Sequence, residues 1–261
     1  MKTILAILLT VLFFQNANAQ DLNVYKKKQF IRGKDTLRYR ILYPEKYKKR
    51  KAYPLILFLH GSGERGNDNE AQLMHGGKLF AEANIRKHFK AIVIFPQCPK
   101  DSVWARSKKT TQSAERIFLS DETPPVAQQL VKQLLDSLTV NYLTDDRKIY
   151  LGGLSMGAFG AYDLLCRYPD YFAAAFTICG ATNIPVYIEK AKEVPLWIFH
   201  GALDNVVSNK SDRELFKALM TRDIKTVMYT EYPQAGHNSW DSAFAEPGLL
   251  PWLFSNRKKD Q

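Results

Sequence analysis

One stretch of the chain has the residue types and spacing of an activated nucleophile: Gly153-Leu154-Ser155-Met156-Gly157. This G-x-S-x-G run lies between a short apolar run, Ile149 to Leu151, and a segment of helical patterning that begins near Ala158. A strand that turns straight into a helix forces its central residue into strained backbone angles, and only small residues fit at the flanks. The serine oxygen is thereby pushed out over the sheet, at a helix N-terminus whose partial positive charge favours a developing oxyanion.

A serine hydroxyl is a weak nucleophile until a base takes its proton. Of the five histidines, His60 and His200 each end an apolar run and are expected to support the site from below, while His75 and His88 sit in polar sequence upstream. Where this motif sits on a parallel sheet the chain order is serine, acid, histidine. That order selects His237, in Gln234-Ala235-Gly236-His237-Asn238, as the base. The carboxylate that orients it should leave the preceding strand, and Asp204 stands five residues past the run Leu196 to Phe199. Glu193, Glu231 and Asp241 are rivals, but none leaves a strand at that place.

Ser155, Asp204 and His237 are therefore the candidate catalytic residues. An oxyanion needs two backbone donors. The amide of Met156 is the first; the second is expected from the glycine-rich loop His60 to Asn69, with the amide of Ser62 favoured. That loop has no Gly-Lys-Ser/Thr ending, which argues against a phosphate cradle.

Such residues must be brought together by a framework, and the sequence describes one. After an alternating, strand-like stretch, Leu37 to Tyr43, four compact apolar runs follow: Leu55 to Leu59, Ala91 to Phe95, Ile149 to Leu151 and Leu196 to Phe199. Short apolar runs bounded by turn residues read as strands buried on both faces. Thr226 to Tyr232 is a further strand-like stretch. Helical segments lie between them: Pro125 to Leu138, with Val126, Leu130, Leu134 and Leu138 on one stripe; Ala158 to Tyr168; and Asp212 to Met220. The fold class is α/β, with a mostly parallel central sheet flanked by helices on both faces. In such sheets ligands bind at the carboxyl ends of the strands.

The chain has 261 residues, 46% hydrophobic and 24% charged, with no repeat or low-complexity tract. This balance excludes a disordered chain or a multispanning membrane protein. Residues 1–19 read as a signal peptide, with Lys2, an uncharged run from Ile4 to Phe14 and the small-x-small ending Ala17-Asn18-Ala19. Residues 20–261 are then one catalytic domain, exported to the periplasm or the cell exterior and not inserted in a membrane. The formal net charge of +11 is spread over polar stretches and reads mainly as solvated surface. No nucleic-acid-binding motif is present. Cys98, Cys166 and Cys179 fit no zinc-ligand spacing, and no disulfide among them is required.

Taken together, Leu59-His60-Gly61-Ser62-Gly63-Glu64-Arg65-Gly66, Gly152 to Gly157, His200-Gly201 through Asp204 and Gly236-His237-Asn238-Ser239-Trp240 resemble the α/β-hydrolase superfamily. Within it the pattern is similar to exported carboxylesterases, including feruloyl and acetyl-xylan esterases, and to the prolyl-oligopeptidase-like branch. The resemblance spans nearly the whole mature chain. It implies an α/β-hydrolase fold and an acyl-enzyme mechanism with no metal or organic cofactor. The implied partner is an ester substrate, with polysaccharide-linked esters the leading class. A small serine peptidase and an inactive binding protein on the same fold are the alternatives. The pattern departs from its relatives in lacking a β-propeller and a large cap domain. The long connection from Cys98 to Thr123 is expected to form one wall of the substrate pocket through Trp104, and Trp240 is a second pocket candidate.

Overall fold

A computed structural model describes residues 22–109, 116–120, 122–141 and 144–259. The expected signal segment and the expected first mature residue, Gln20, lie outside them. In chain order the elements are β1 (Lys26–Arg32), β2 (Asp35–Leu42), β3 (Tyr53–Leu59), α1 (Gly77–Ala81), α2 (Ala83–His88), β4 (Ile92–Gln97), β5 (Ser107–Lys109) and β6 (Arg116–Phe118). There follow α3 (Val126–Asn141), β7 (Thr144–Leu154), α4 (Met156–Arg167), β8 (Ala174–Ile178), α5 (Ile184–Lys190), β9 (Leu196–Gly201), α6 (Lys210–Met220), β10 (Val227–Tyr232), α7 (Trp240–Phe244) and α8 (Leu249–Ser255).

Eight strands form one sheet in the order β1-β2-β4-β3-β7-β8-β9-β10. The pairs β1–β2 and β2–β4 are antiparallel, and every later pair is parallel. The alternation of side chains along a strand divides the core in two. In β3, Leu55, Leu57 and Leu59 point to one face, where Leu130, Leu134, Leu164 and Leu215 of α3, α4 and α6 cover them. Ile56 and Phe58 point to the other, beneath Phe80 of α1 and Leu250 and Leu253 of α8. Burial on both faces is why these strands are continuous apolar runs.

The chain leaves β3 toward β4 on one side and later returns to β7 on the other, so the carboxyl ends of β3 and β7 flank a topological switch point. The loop after β3 and the turn after β7 meet there. Four strands were not among the expected runs: the short pair β5 and β6, the lysine-rich edge strand β1, whose side chains are exposed except Phe30, and the central strand β8. β8, Ala-Ala-Phe-Thr-Ile, is entirely buried but carries two alanines and a threonine, too little apolar contrast to stand out. Its Phe176 fills the space above Gly152, where a Cβ would come within 2.4 Å of that ring. Among the described residues no helix is long and apolar enough to cross a membrane.

Candidate active site

Ser155 sits in the turn between β7 and α4 with φ 51° and ψ −117°, a backbone region that side-chain-bearing residues rarely occupy and that concentrates at functional sites. Two glycines make the turn sterically feasible. A Cβ at Gly157 would lie 2.0 Å from the Leu59 carbonyl oxygen, and one at Gly153 would lie 2.3 Å from that of Gly157. The Ser155 amide is tied to the Ile178 carbonyl at 2.8 Å, which fixes the turn over the end of β8.

His237 Nε2 is 3.1 Å from Ser155 Oγ, and His237 Nδ1 is 2.8 Å from Asp204 Oδ2. Because an ionised carboxylate only accepts, Nδ1 carries the hydrogen and Nε2 is free to accept the serine proton. The Asp204 side chain is fully enclosed. Its Oδ1 accepts from the amides of Val206 and Val207 at 2.8 and 2.9 Å. Burial works against the charge, but hydrogen bonds from His200, His237 and these two amides outweigh it and hold the carboxyl well below the usual carboxylate range.

The loops bearing Asp204 and His237 meet at Gly201. A Cβ there would stand 2.2 Å from the Gly236 carbonyl oxygen and 2.5 Å from that of Ala235, both backbone atoms of the histidine loop. Gly201→Ala should therefore separate acid from base, lowering kcat about 100-fold or more for about 2–3 kcal/mol of lost stability. Kinetics beside a urea melt check this; an unchanged kcat would show that the two loops need not touch.

On the other side of the serine, Met156 is the first residue of α4, so its N–H is one that the helix cannot satisfy. Ser62 opens a short 3-10 turn, Ser62–Glu64, directly after Gly61. Gly61 lies against the nucleophile, and a Cβ built on it would be 3.7 Å from Ser155 Cβ. His60, expected beneath the site, is buried there: its Nε2 accepts from the Cys98 amide at 2.9 Å, and burial lowers its pKa to about 4.

Likeness to known proteins extends well beyond the local turn. A match to the phospholipase/carboxylesterase family covers residues 46–246, which takes in all three of these side chains. The chain belongs to that family. Among solved structures, a thermostable esterase superposes with a TM-score of 0.81 at 30% identity over 90% of this chain and 64% of that one. A ferulic acid esterase from the anaerobic fungus Anaeromyces mucronatus shares the fold, with a TM-score of 0.64 and 16% identity over 89% of this chain and 90% of its own. In sequence, 120 residues, 43% of this chain, are 28% identical to a bifunctional acetylxylan esterase/xylanase of Neocallimastix patriciarum. The match covers 18% of that longer protein.

The surroundings of the triad in this carboxylesterase-family chain differ in part from the sequence reading. Trp104 is not a pocket wall. It is fully buried, its Nε1 donates to the His60 carbonyl at 3.0 Å, and its Cβ fills the space above Gly160, so it presents no surface to a ligand. Large apolar area with one satisfiable N–H suits a core position. The connection that carries Trp104 does reach a cavity, but through β6, which pairs antiparallel with β5. A cavity of about 460 Å³ beside Asp204 is lined by Arg116, Phe118, Phe159, Ile184 and Val206. Phe118 and Phe159 meet edge to face, 5.1 Å between centroids. Trp240, the second pocket candidate, does not line this cavity; its ring is 5.5 Å from that of His237 and 4.8 Å from that of His75. His75 in turn stands 3.6 Å from buried Glu64, a contact that spacing alone does not reveal.

One trio with metal-ligand chemistry occurs among the described residues: donor atoms of Cys179, Asp204 and His237 lie within 4.8 Å of one another. Asp204 and His237 are already hydrogen-bonded to each other, and burial raises the Cys179 thiol pKa far above its ordinary value. Two of the three donors are thus engaged with each other, and the third is a thiol that burial keeps protonated. None of the three cysteines is in a disulfide, and all three are buried.

Proposed function

We propose that this chain is an exported serine carboxylesterase that acts through an acyl-enzyme. The continuous hydrogen-bonded chain from Ser155 Oγ through His237 to Asp204 is the observation that carries the reading. Ser155 Oγ attacks the ester carbonyl carbon as its proton passes to His237 Nε2, and the Met156 and Ser62 amides receive the charge on the carbonyl oxygen. The C–O bond to the alcohol then breaks, and His237 returns the proton to that oxygen. Water adds to the acyl-enzyme by the same route, its proton going to His237 and then back to Ser155, which frees the acid. Asp204 holds the imidazole in the required tautomer and stabilises its charged form throughout.

The substrate class in this reading is a feruloyl or acetyl ester on a plant polysaccharide or oligosaccharide. This reading assigns the acyl group to the cavity, which meets the three candidate catalytic residues at Asp204: apolar Phe118, Phe159 and Ile184 suit it, and Arg116 and Asn183 supply polar edges. Trp240 beside His237 offers a flat surface on which a sugar or phenolic ring can stack. A panel of an aryl acetate, methyl ferulate, acetylated xylan and a prolyl peptide tests the assignment. Turnover of esters with little or no cleavage of the peptide is expected; peptide cleavage alone would overturn it. Within that panel, Phe118→Ala should raise KM for methyl ferulate about tenfold while KM for the aryl acetate changes less than twofold, since about 1–2 kcal/mol of aromatic contact is lost only for the larger acyl group.

A further inference from the structure

His200, in β9, is fully buried behind the triad, and its neighbours fix its protonation. Nδ1 lies 2.7 Å from Asp212 Oδ2, and Nε2 lies 3.0 Å from the Val207 carbonyl oxygen and 3.2 Å from Asp204 Oδ2. Every one of these partners is an acceptor. A neutral imidazole has a single N–H and would set a bare nitrogen lone pair against an oxygen at one end or the other. Only the doubly protonated ring satisfies both.

Burial opposes that charge, but the hydrogen bonds to Asp204 and Asp212 prevail and raise the His200 pKa to about 10. Asp212, from α6, is equally enclosed. Its Oδ1 accepts from Tyr162 Oη at 2.7 Å and its Oδ2 from the Gly180 amide at 3.2 Å, and the tyrosine oxygen accepts from Thr177 Oγ1 at 2.9 Å. Asp204 Oδ2 thus lies between two histidines, His237 toward the substrate and His200 toward the core. Around the two carboxylate partners of His200 stand Tyr162 of α4, bonded to Asp212, and Cys179 after β8, near both Asp204 and Asp212; Glu231, the register partner of His200 on β10, has its carboxylate held by Arg213.

We propose that His200 is a positioning residue: an imidazolium that holds the Asp204 carboxylate beneath His237, its own charge cancelled by Asp212 so that Asp204 keeps its negative charge for the base. Two carboxylates and one fixed cation leave one negative charge before reaction, and the proton taken from Ser155 by His237 brings the balance. The arrangement would explain a buried ion pair where an apolar pair would pack as well. It rests on the serine-esterase reading above.

The sign of two single substitutions tests it. His200→Gln removes the cation beside Asp204, so His237 holds its proton more tightly and the acid limb of kcat/KM moves up. Asp212→Asn leaves the His200 charge uncompensated, so the limb moves down. Shifts of about half to one pH unit in opposite directions are expected, each with kcat about 10- to 100-fold lower and KM within about threefold, and with the double variant returning toward the wild-type limb. Rates on an aryl acetate are divided by the sites that a fluorophosphonate titrates, so that misfolded protein lowers the amplitude without moving the limb. If His200→Gln yields no titratable sites, the direction of the Asp212→Asn shift decides. Limbs that stay put, or move the same way, overturn the proposal. Wild-type protein without serine-dependent ester turnover would instead overturn the reading beneath it.

Discussion

Ser155→Ala should lower kcat on an aryl acetate by about 10⁵-fold or more and leave the fold intact. The size follows from what is removed. With no oxygen to acylate, the remaining site offers only two amide donors and a histidine that can activate water, and that geometry is not built for water. The fold survives because Oγ makes its one side-chain hydrogen bond to His237, while the strained turn is held by its flanking glycines and by the Ser155 amide. A thermal midpoint within about 2 °C of wild type, with turnover lost, is the expected pair of results. Turnover within tenfold of wild type would show that another residue is the nucleophile.

Asp204→Asn should lower kcat by about 10³- to 10⁴-fold with KM nearly unchanged, the cost of a wrong tautomer. The local geometry dictates which way the amide must sit. Val206 and Val207 both donate to Oδ1, so the asparagine carbonyl oxygen takes that place and its NH₂ occupies the Oδ2 position. There it meets His237 Nδ1 at 2.8 Å. Two donors cannot share that contact, and His237 answers by moving its hydrogen to Nε2, where it can no longer accept from Ser155. Steady-state kinetics measures the loss directly, and a variant that keeps more than a tenth of wild-type kcat would remove Asp204 from the role.

The parts of this site that were legible in the sequence are those where chemistry constrains residue type at a fixed place in the chain. Ser155 is marked by two glycines that cannot carry a Cβ, Asp204 by its distance from a compact strand, and His237 by chain order. The central strands were legible where burial on both faces makes them apolar runs; β8 escaped because alanine satisfies the same burial without contrast, and the edge strand β1 because its exposed lysines give no apolar run. Trp104 misled for a related reason. A tryptophan in a long loop reads equally as a ligand platform or as a core filler, and the hydrogen bond to His60 and the gap left by Gly160, which settle it as filler, join residues far apart in the chain. The cavity lining of Phe118, Phe159 and Ile184 comes from three separate elements and has no local signature. Likewise His200 could be placed beneath the site from its strand, but its pairing with Asp212 depends on how α6 packs.

The central claim is that the Ser155 oxygen is the group made reactive by His237 and Asp204. Incubation with a fluorophosphonate, followed by intact mass and peptide mapping, tests it most directly. One adduct per chain, located on the peptide containing Ser155, absent from Ser155→Ala and formed at least about 100-fold more slowly by His237→Ala, is the predicted result. An adduct on any other residue, or labelling of Ser155 that proceeds equally fast without His237, would contradict the account.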